Sequence, residues 1–318
     1  MQTKEYQKLK SNLAKLNTAQ CEQIKKHLSN HPFTPNPVLK NLELELDQNP
    51  QCPKCESNKI IRFGQAHGRQ RYRCKLCTRT FMCTNATQFF RLHNHDKWLG
   101  YIENMVQGKT LRDCATLGKM AISTSFNWRH KFLNTAQDDL PTSLEGIIEA
   151  DETYFRFSQK GERNIRRDAR KRGTKASNKG LNKKDWTPVL VAMDRSHHEM
   201  DFILKSVTSD NIDKVLGPRL STQCVLCTDG QPAYNQLCEQ HHILHKVSHN
   251  HQTIDGVFHI QNVNAYHSRL KNWMKRFHGV ATKYLAHYLG WFRALEAQKH
   301  EKVNTFKLLA LQQHCFKT

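Results

Sequence analysis

At 318 residues the chain is long enough for two to four domains, each with its own core. Lys and Arg number 49 against 28 Asp and Glu, a net charge of +21 and a pI near 9.6, so the expected partner is a polyanion, nucleic acid ahead of an anionic membrane surface. No apolar run is long enough to span a bilayer and the first residues, MQTKEYQKLK, lack the apolar core of a signal peptide, so a cytosolic protein is expected, in which eleven cysteines point to metal binding rather than disulfides.

The first 48 residues read as polar helix. Leu9, Leu13 and Leu16 fall at helical spacing, as do Cys21, Ile24 and Leu28, and Asn17 ahead of Gln20 is placed to cap the second helix. The proline-rich NHPFTPNP reads as a linker.

CPKC (52–55) and CKLC (74–77) stand 18 residues apart. A Cys-x-x-Cys turn brings two sulfurs onto one ion, so Cys52, Cys55, Cys74 and Cys77 form a four-thiolate structural zinc site of the ribbon type, holding one ion with no open position. KIIRFG and RQRYRC between the knuckles read as two strands around a turn. Arg69, Arg71, Arg73 and Lys75 alternate along the second and offer one basic face to phosphates. Cys83 lies outside the pattern and reads as packing. CVLC (224–227) sits in an apolar strand where i and i+3 point to opposite faces, and the five histidines of 241–251 read as partly exposed strand and loop.

Residues 95–136 return to helical spacing. Within 111–133, Gly118 falls where a helix-turn-helix turns, Ser123 or Thr124 can cap the following helix, and Ser123, Ser125, Asn127 and Arg129 are candidates for base edges, with Phe126 and Phe132 inward. An ordinary helical hairpin is the alternative.

From 145 to 295 strand and helix patterns alternate, the mark of an α/β domain. IIEADETYF (147–155) is an apolar strand ending in acid, and VLCTDGQPAY (225–234) repeats the design with Asp229 before a Gly turn. TPVLVAMDR and MDFILKSV read as a hairpin across RSHH, followed by a helical segment near 209–219, a short strand near 243–247 and a long helix over 258–277. Acids ending adjacent strands converge on one edge, the way an oxygen-rich magnesium site is built. On the long helix Asn264 is 35 residues after Asp229, with Lys271 two turns further on the same face. Asn264 is a candidate third ligand or a helix-surface or capping residue. Along the first strand Ile147, Glu149, Asp151 and Thr153 share a face. Asp151 is the expected ligand, Glu149 its neighbour from behind, and Glu152 faces away toward a basic partner. Residues 156–184 hold twelve Lys or Arg against two acids. This basic loop, with Arg166, Arg167, Arg170, Lys171 and Arg172, is expected to order on a phosphate backbone. Tyr284, Tyr288 and Trp291 recur at helical spacing and read as core.

RYRCKLCTRTF, AISTSFNWRHKFL, EADETYF, SQKGERNIRRDARKRGTKASNKG, TPVLVAMDR, TDGQPAY and NVNAYHSRLKNWMKRFHGVATKYLAHYLGW cover most of residues 50–295. Together they resemble bacterial insertion-sequence transposases of the retroviral-integrase superfamily, in the group with a zinc ribbon and an Asp-Asp-Asn triad in place of Asp-Asp-Glu. Thr174 stands where such loops often carry a second Gly. The resemblance implies Asp151, Asp229 and Asn264 as the triad and Lys271 as the accompanying lysine. It implies two magnesium (or manganese) ions, an RNase H-like fold, and cleavage at transposon ends followed by joining of the 3′-hydroxyl to target DNA. The partners implied are double-stranded DNA and further copies of the chain, in the cytoplasm at the nucleoid.

The whole is expected to be multidomain α+β. A helical segment (1–48) precedes a zinc ribbon (49–85) and a helix-turn-helix domain (90–140). An RNase H-like α/β catalytic domain with a mixed sheet (145–300, basic insertion 156–184) and a tail (301–318) follow. A catalytically silent DNA-binding regulator and a nuclease of the same fold are the competing readings.

Overall fold

The computed structural model describes residues 11–12, 16–29, 37–66, 69–85, 87, 89–165, 185–221, 223–248 and 252–301. The expectations for Leu9, Leu13, the basic stretch with Arg166, Arg167, Arg170, Lys171 and Arg172, and most of the 301–318 tail lie outside the described residues. The chain divides into two compact units, one up to Tyr101 and one from Ile102 onward.

In the first unit α1 (Thr18–Ser29) opens with the expected cap: Gln20 N donates to Asn17 Oδ1 (2.9 Å) and Asn17 N to Gln20 Oε1 (3.1 Å). α2 (Pro37–Gln48) begins at the last proline of the expected linker, a first-turn position where the missing N–H costs nothing. The ribbon has the two expected strands, β1 (Ile60–Ala66) and β2 (Arg69–Cys74), and a third, β3 (Thr80–Met82), in antiparallel order β1-β2-β3. Helix α2 docks on it by burying Leu42 and Leu46, while Asp47 accepts the Tyr72 hydroxyl (3.1 Å) and pairs with Arg62.

Next come α3 (Trp98–Val106), α4 (Leu111–Leu117) and α5 (Ile122–Asp138). The strands that follow are β4 (Ile147–Arg156), β5 (Trp186–Asp194), β6 (Glu199–Ile203), β7 (Val225–Thr228) and β8 (Leu244–Val247). They form one mixed sheet in the order β6-β5-β4-β7-β8, antiparallel from β6 to β4 and parallel from β4 to β8. Helices α6 (Ser209–Leu216) and α7 (Ala233–Gln240) cover one face. There Ile148, Ala150, Leu190, Ala192, Ile212, Leu216, Tyr234 and Leu237 make a closed apolar core. On the other face lie α8 (Gln261–Lys275), against β4 and β5, and α9 (Leu285–Glu301), against β6 and α5. The sheet is thus the middle of three layers, with β4 at its centre. Between α8 and α9 the chain turns through His278 and Gly279, both at positive φ, so the aromatic stretch starts a separate helix.

α9 and the end of α5 approach closely because residue 290 is Gly: a Cβ there would stand 2.3 Å from the Ala136 carbonyl oxygen. Arg293, buried on the next turn, donates to the carbonyls of Ala136 (3.0 Å), Gln137 (3.2 Å) and Asp139 (3.0 Å) and pairs with Asp201 on β6 (2.6 Å). One guanidinium therefore satisfies the C-terminal carbonyls of α5 and ties them to the edge of the sheet.

Candidate functional site

β4 and β7 run parallel, pairing Ile147 with Val225, Ile148 with Leu226 and Glu149 with Cys227. Continued by two residues, that register sets Asp151, midway along β4, beside Asp229, the residue that follows β7. Adjacent strands are about 4.8 Å apart, so the two backbone positions are neighbours. Asp229 is exposed, in a tight turn where its Oδ1 accepts Gln231 N (3.0 Å) and Gly230 takes φ 93°. Asp151 is 17% exposed, and His267 Nδ1 on α8 stands 3.5 Å from its Oδ2.

The alternation along β4 is as expected, with consequences the sequence did not show. Glu149, 1% exposed, does lie on the Asp151 side, but it grips the head of α8. Its Oε2 accepts the backbone amides of Asn262 (2.8 Å) and Val263 (3.1 Å), and its Oε1 accepts Asn262 Nδ2 (2.8 Å) and pairs with Arg195 (2.9 Å). Glu152 faces the other way, but its partner is not basic: it accepts the hydroxyl of buried Tyr234 on α7. Burial, and then the charges of Asp151 and Asp229, push the Glu152 carboxyl up to about 7, against the opposing pull of the Tyr234 hydrogen bond. The same acids, after burial, raise Tyr154. Negative charge is therefore concentrated at this edge of the sheet.

Asn264 lies in the first turn of α8, directly after the residues held by Glu149, and is half-buried; Lys271 is exposed two turns on. His267, between them on the same face, was missed by sequence reasoning, although i+3 from Asn264 and i+4 to Lys271 are the helical spacings that would have found it. Burial, then the Lys271 charge, lowers its pKa to about 4, so the ring is neutral near pH 7.

In the first unit the sulfurs of Cys52, Cys55, Cys74 and Cys77 lie within 4.8 Å of one another, with Cys52–Cys77 and Cys55–Cys74 both at 3.6 Å. The backbone N–H of Cys77 and then that of Leu76 stabilise the Cys74 thiolate and bring it down to about 6, against the cost of burial. No other group of three His, Cys, Asp or Glu among the described residues meets at metal-binding distance, so CVLC and the described histidines of 241–248 do not form a second cluster. Cys83 is buried packing, as expected. On the ribbon, Arg71 and Arg73 place their guanidiniums 5.1 and 5.3 Å over the half-exposed Phe63 ring, and Arg69 lies 2.7 Å from His95.

The hairpin of α4 and α5 requires corrections. The cap that forms is at the first helix, where Thr110 and Asp113 make a reciprocal box; α5 starts at Ala121 with no side-chain cap, so neither Ser123 nor Thr124 serves. Gly118 has an ordinary φ of −78°, so the turn does not require glycine's conformational freedom. Ser125 and Arg129 are fully buried and cannot reach a base edge. Ser125 Oγ donates to Leu111 O (3.1 Å), and Arg129 donates to Lys109 O (2.9 Å) while lying 4.9 Å over the Trp291 ring. Ser123 and Asn127 are exposed, Phe132 is buried, and Phe126 packs edge-on to Tyr284. Tyr288 and Trp291 are core, as their spacing suggested, whereas Tyr284 is half-buried in the turn before α9.

Residues 143–293 match the ISXO2-like transposase domain. A protein of Halobacterium salinarum described as an uncharacterized protein in transposable element ISH50 is 28% identical over 254 residues, spanning 76% of this chain and 83% of that one. Two solved structures align over 68% of the chain. One is a simian T-cell lymphotropic virus intasome in complex with PP2A regulatory subunit B56 gamma (TM-score 0.30, 15% identity, 76% of that chain). The other is a pre-cleavage Mos1 transpososome (TM-score 0.22, 11% identity, 79% of that chain). At such scores neither carries an argument.

Proposed function

The chain carries an insertion-sequence transposase domain of the DDE group, and from that premise we propose that it binds the terminal inverted repeats of its element, cleaves at the ends and joins the freed 3′-hydroxyl to target DNA. The observation that supports this most is the neighbouring placement of Asp151, midway along β4, and Asp229, directly after the parallel strand β7, beside a helix whose first turn holds Asn264.

This donor set fits magnesium or manganese. All three side chains offer oxygen, and the two aspartates add negative charge beside a buried Glu152, charge that a divalent cation relieves. When bound, two such ions supply activation of the attacking oxygen and stabilisation of the leaving one. The chain's own part is positional: β4 and β7 fix the two acids by register, α8 brings Asn264, and exposed Lys271 offers a cation to a backbone phosphate. The four cysteines suit one structural zinc ion, because an all-sulfur set leaves no open position. Ser123 and Asn127 face DNA, and Arg69, Arg71, Arg73 and the basic residues of 156–184 contact phosphate. On this reading the residues from 145 to 300 are RNase H-like, the 49–85 and 90–140 segments read the ends, and at least two copies pair them. It acts where DNA is, at the bacterial nucleoid in the cytoplasm; no described helix is long and apolar enough to cross a membrane.

Purified chain, magnesium, DNA carrying the element's ends and a target plasmid give joined product on this reading. Binding without cleavage returns a silent regulator, and cleavage without joining a nuclease.

A further inference from the structure

α8 (Gln261–Lys275) lacks a start signal of its own. Its N-cap residue, Ile260, makes no side-chain cap, and its first turn has no acidic residue. The amides at a helix start need acceptors, and the positive end of the helix favours an anion. The Gln261 amide donates to the neighbouring His259 Nδ1 (3.2 Å), but the acceptor for the next two amides, and the anion, come from across the fold, more than a hundred residues earlier in the chain. Glu149 on β4 accepts the Asn262 and Val263 amides and the Asn262 side chain. Its remaining contacts hold the segment leading into α8: Arg195 pairs with Glu149 and donates to Val257 O (3.1 Å), and the His259 ring lies 3.4 Å from Glu149.

Two spacings give this clamp its meaning. Asp151 lies two residues after Glu149 on the same face of the central strand, and on the helix Asn264 lies one turn before His267, whose Nδ1 stands 3.5 Å from Asp151 Oδ2. We infer that Glu149 is a positioning residue that fixes the distance between strand and helix, and so sets the geometry in which Asp151 and Asn264 hold a divalent cation together. This rests on the metal-binding reading above. Glu149 itself is not a ligand, since both of its oxygens are committed to the helix head and to Arg195. Groups that orient metal ligands in this way typically matter about 10–100-fold in metal affinity.

The test compares the full-length wild type with Glu149→Ala, Glu149→Gln, Asp151→Ala and Asp229→Ala, by Mn2+ titration and by hydrogen exchange resolved by peptide. Glu149→Ala is expected to weaken Mn2+ binding about tenfold and to speed exchange in 261–264, with β4 and β5 protected as in the wild type. Glu149→Gln, which keeps one acceptor oxygen, falls between the two and covers the case in which the alanine variant does not fold. Binding that is lost in the two aspartate variants but unchanged in a folded Glu149 variant with wild-type exchange overturns the proposal alone. Mn2+ binding indifferent to Asp151 and Asp229 overturns the metal reading, and the proposal with it.

Discussion

His267 Nδ1 stands 3.5 Å from Asp151 Oδ2, joining the middle of α8 to the middle of β4. With the Glu149 contacts at the head of the helix, α8 meets the central strand at two points one turn and a half apart. His267→Ala is expected to lower end joining about tenfold, the scale of a lost supporting contact. The ring is buried, so a stability loss of about 1–3 kcal/mol is also expected, and joining is compared well below the melting temperature of the variant. A joining assay run beside a thermal melt checks both.

The hairpin of α4 and α5 makes a divided prediction. Ser123→Ala and Asn127→Ala remove exposed side chains and should weaken DNA binding without a stability change. Arg129→Ala removes a buried guanidinium packed on Trp291, and should cost about 2–3 kcal/mol of folding free energy. Denaturant melts and DNA titrations on the three variants separate the roles.

Glu199 on β6 gives a pH dependence away from the reacting edge. It is buried, and burial followed by the charge of Glu296 pushes its carboxyl up to about 7 from 4.5. A raised carboxyl binds its proton more tightly folded than unfolded. Its stabilising contribution is therefore complete below pH 4.5 and is lost as pH rises toward 7. Glu199→Gln should flatten the fall in stability over that window by an amount on the order of 2–3 kcal/mol, read from urea midpoints at several pH values.

Gly290→Ala tests the contact between α9 and α5. The added Cβ would meet the Ala136 carbonyl at 2.3 Å, and backbone cannot move aside cheaply. A loss of about 1–3 kcal/mol is expected, measured by chemical denaturation.

What could be read from sequence had short-range causes. Cys-x-x-Cys spacing, the strand that leads into Asp229, the order of strands and helices, and the Asn17–Gln20 cap are each written within a few residues, and the structure has them all; the strand expected to end in acid near Asp151 instead runs on to Arg156, paired with β5. The misreadings share a different cause. Ser125 and Arg129 fall on the side of α5 that packs against α4, where they bond Leu111 O and Lys109 O, and Trp291 of α9 lies under the Arg129 guanidinium; local pattern does not say which side that is. Glu152 was given a basic partner because its true partner, the Tyr234 hydroxyl, sits on a helix that local pattern cannot place. Glu149 was expected only to stand behind Asp151. Its grip on Asn262 spans more than a hundred residues, and no local periodicity carries that information.

The most direct measurement is strand transfer by the full-length protein with magnesium and end DNA, comparing wild type with Asp151→Ala and Asp229→Ala at equal DNA occupancy. Joined product from the wild type and none from either variant is the result expected; equal joining by all three would contradict the placement of the reacting centre between β4 and β7.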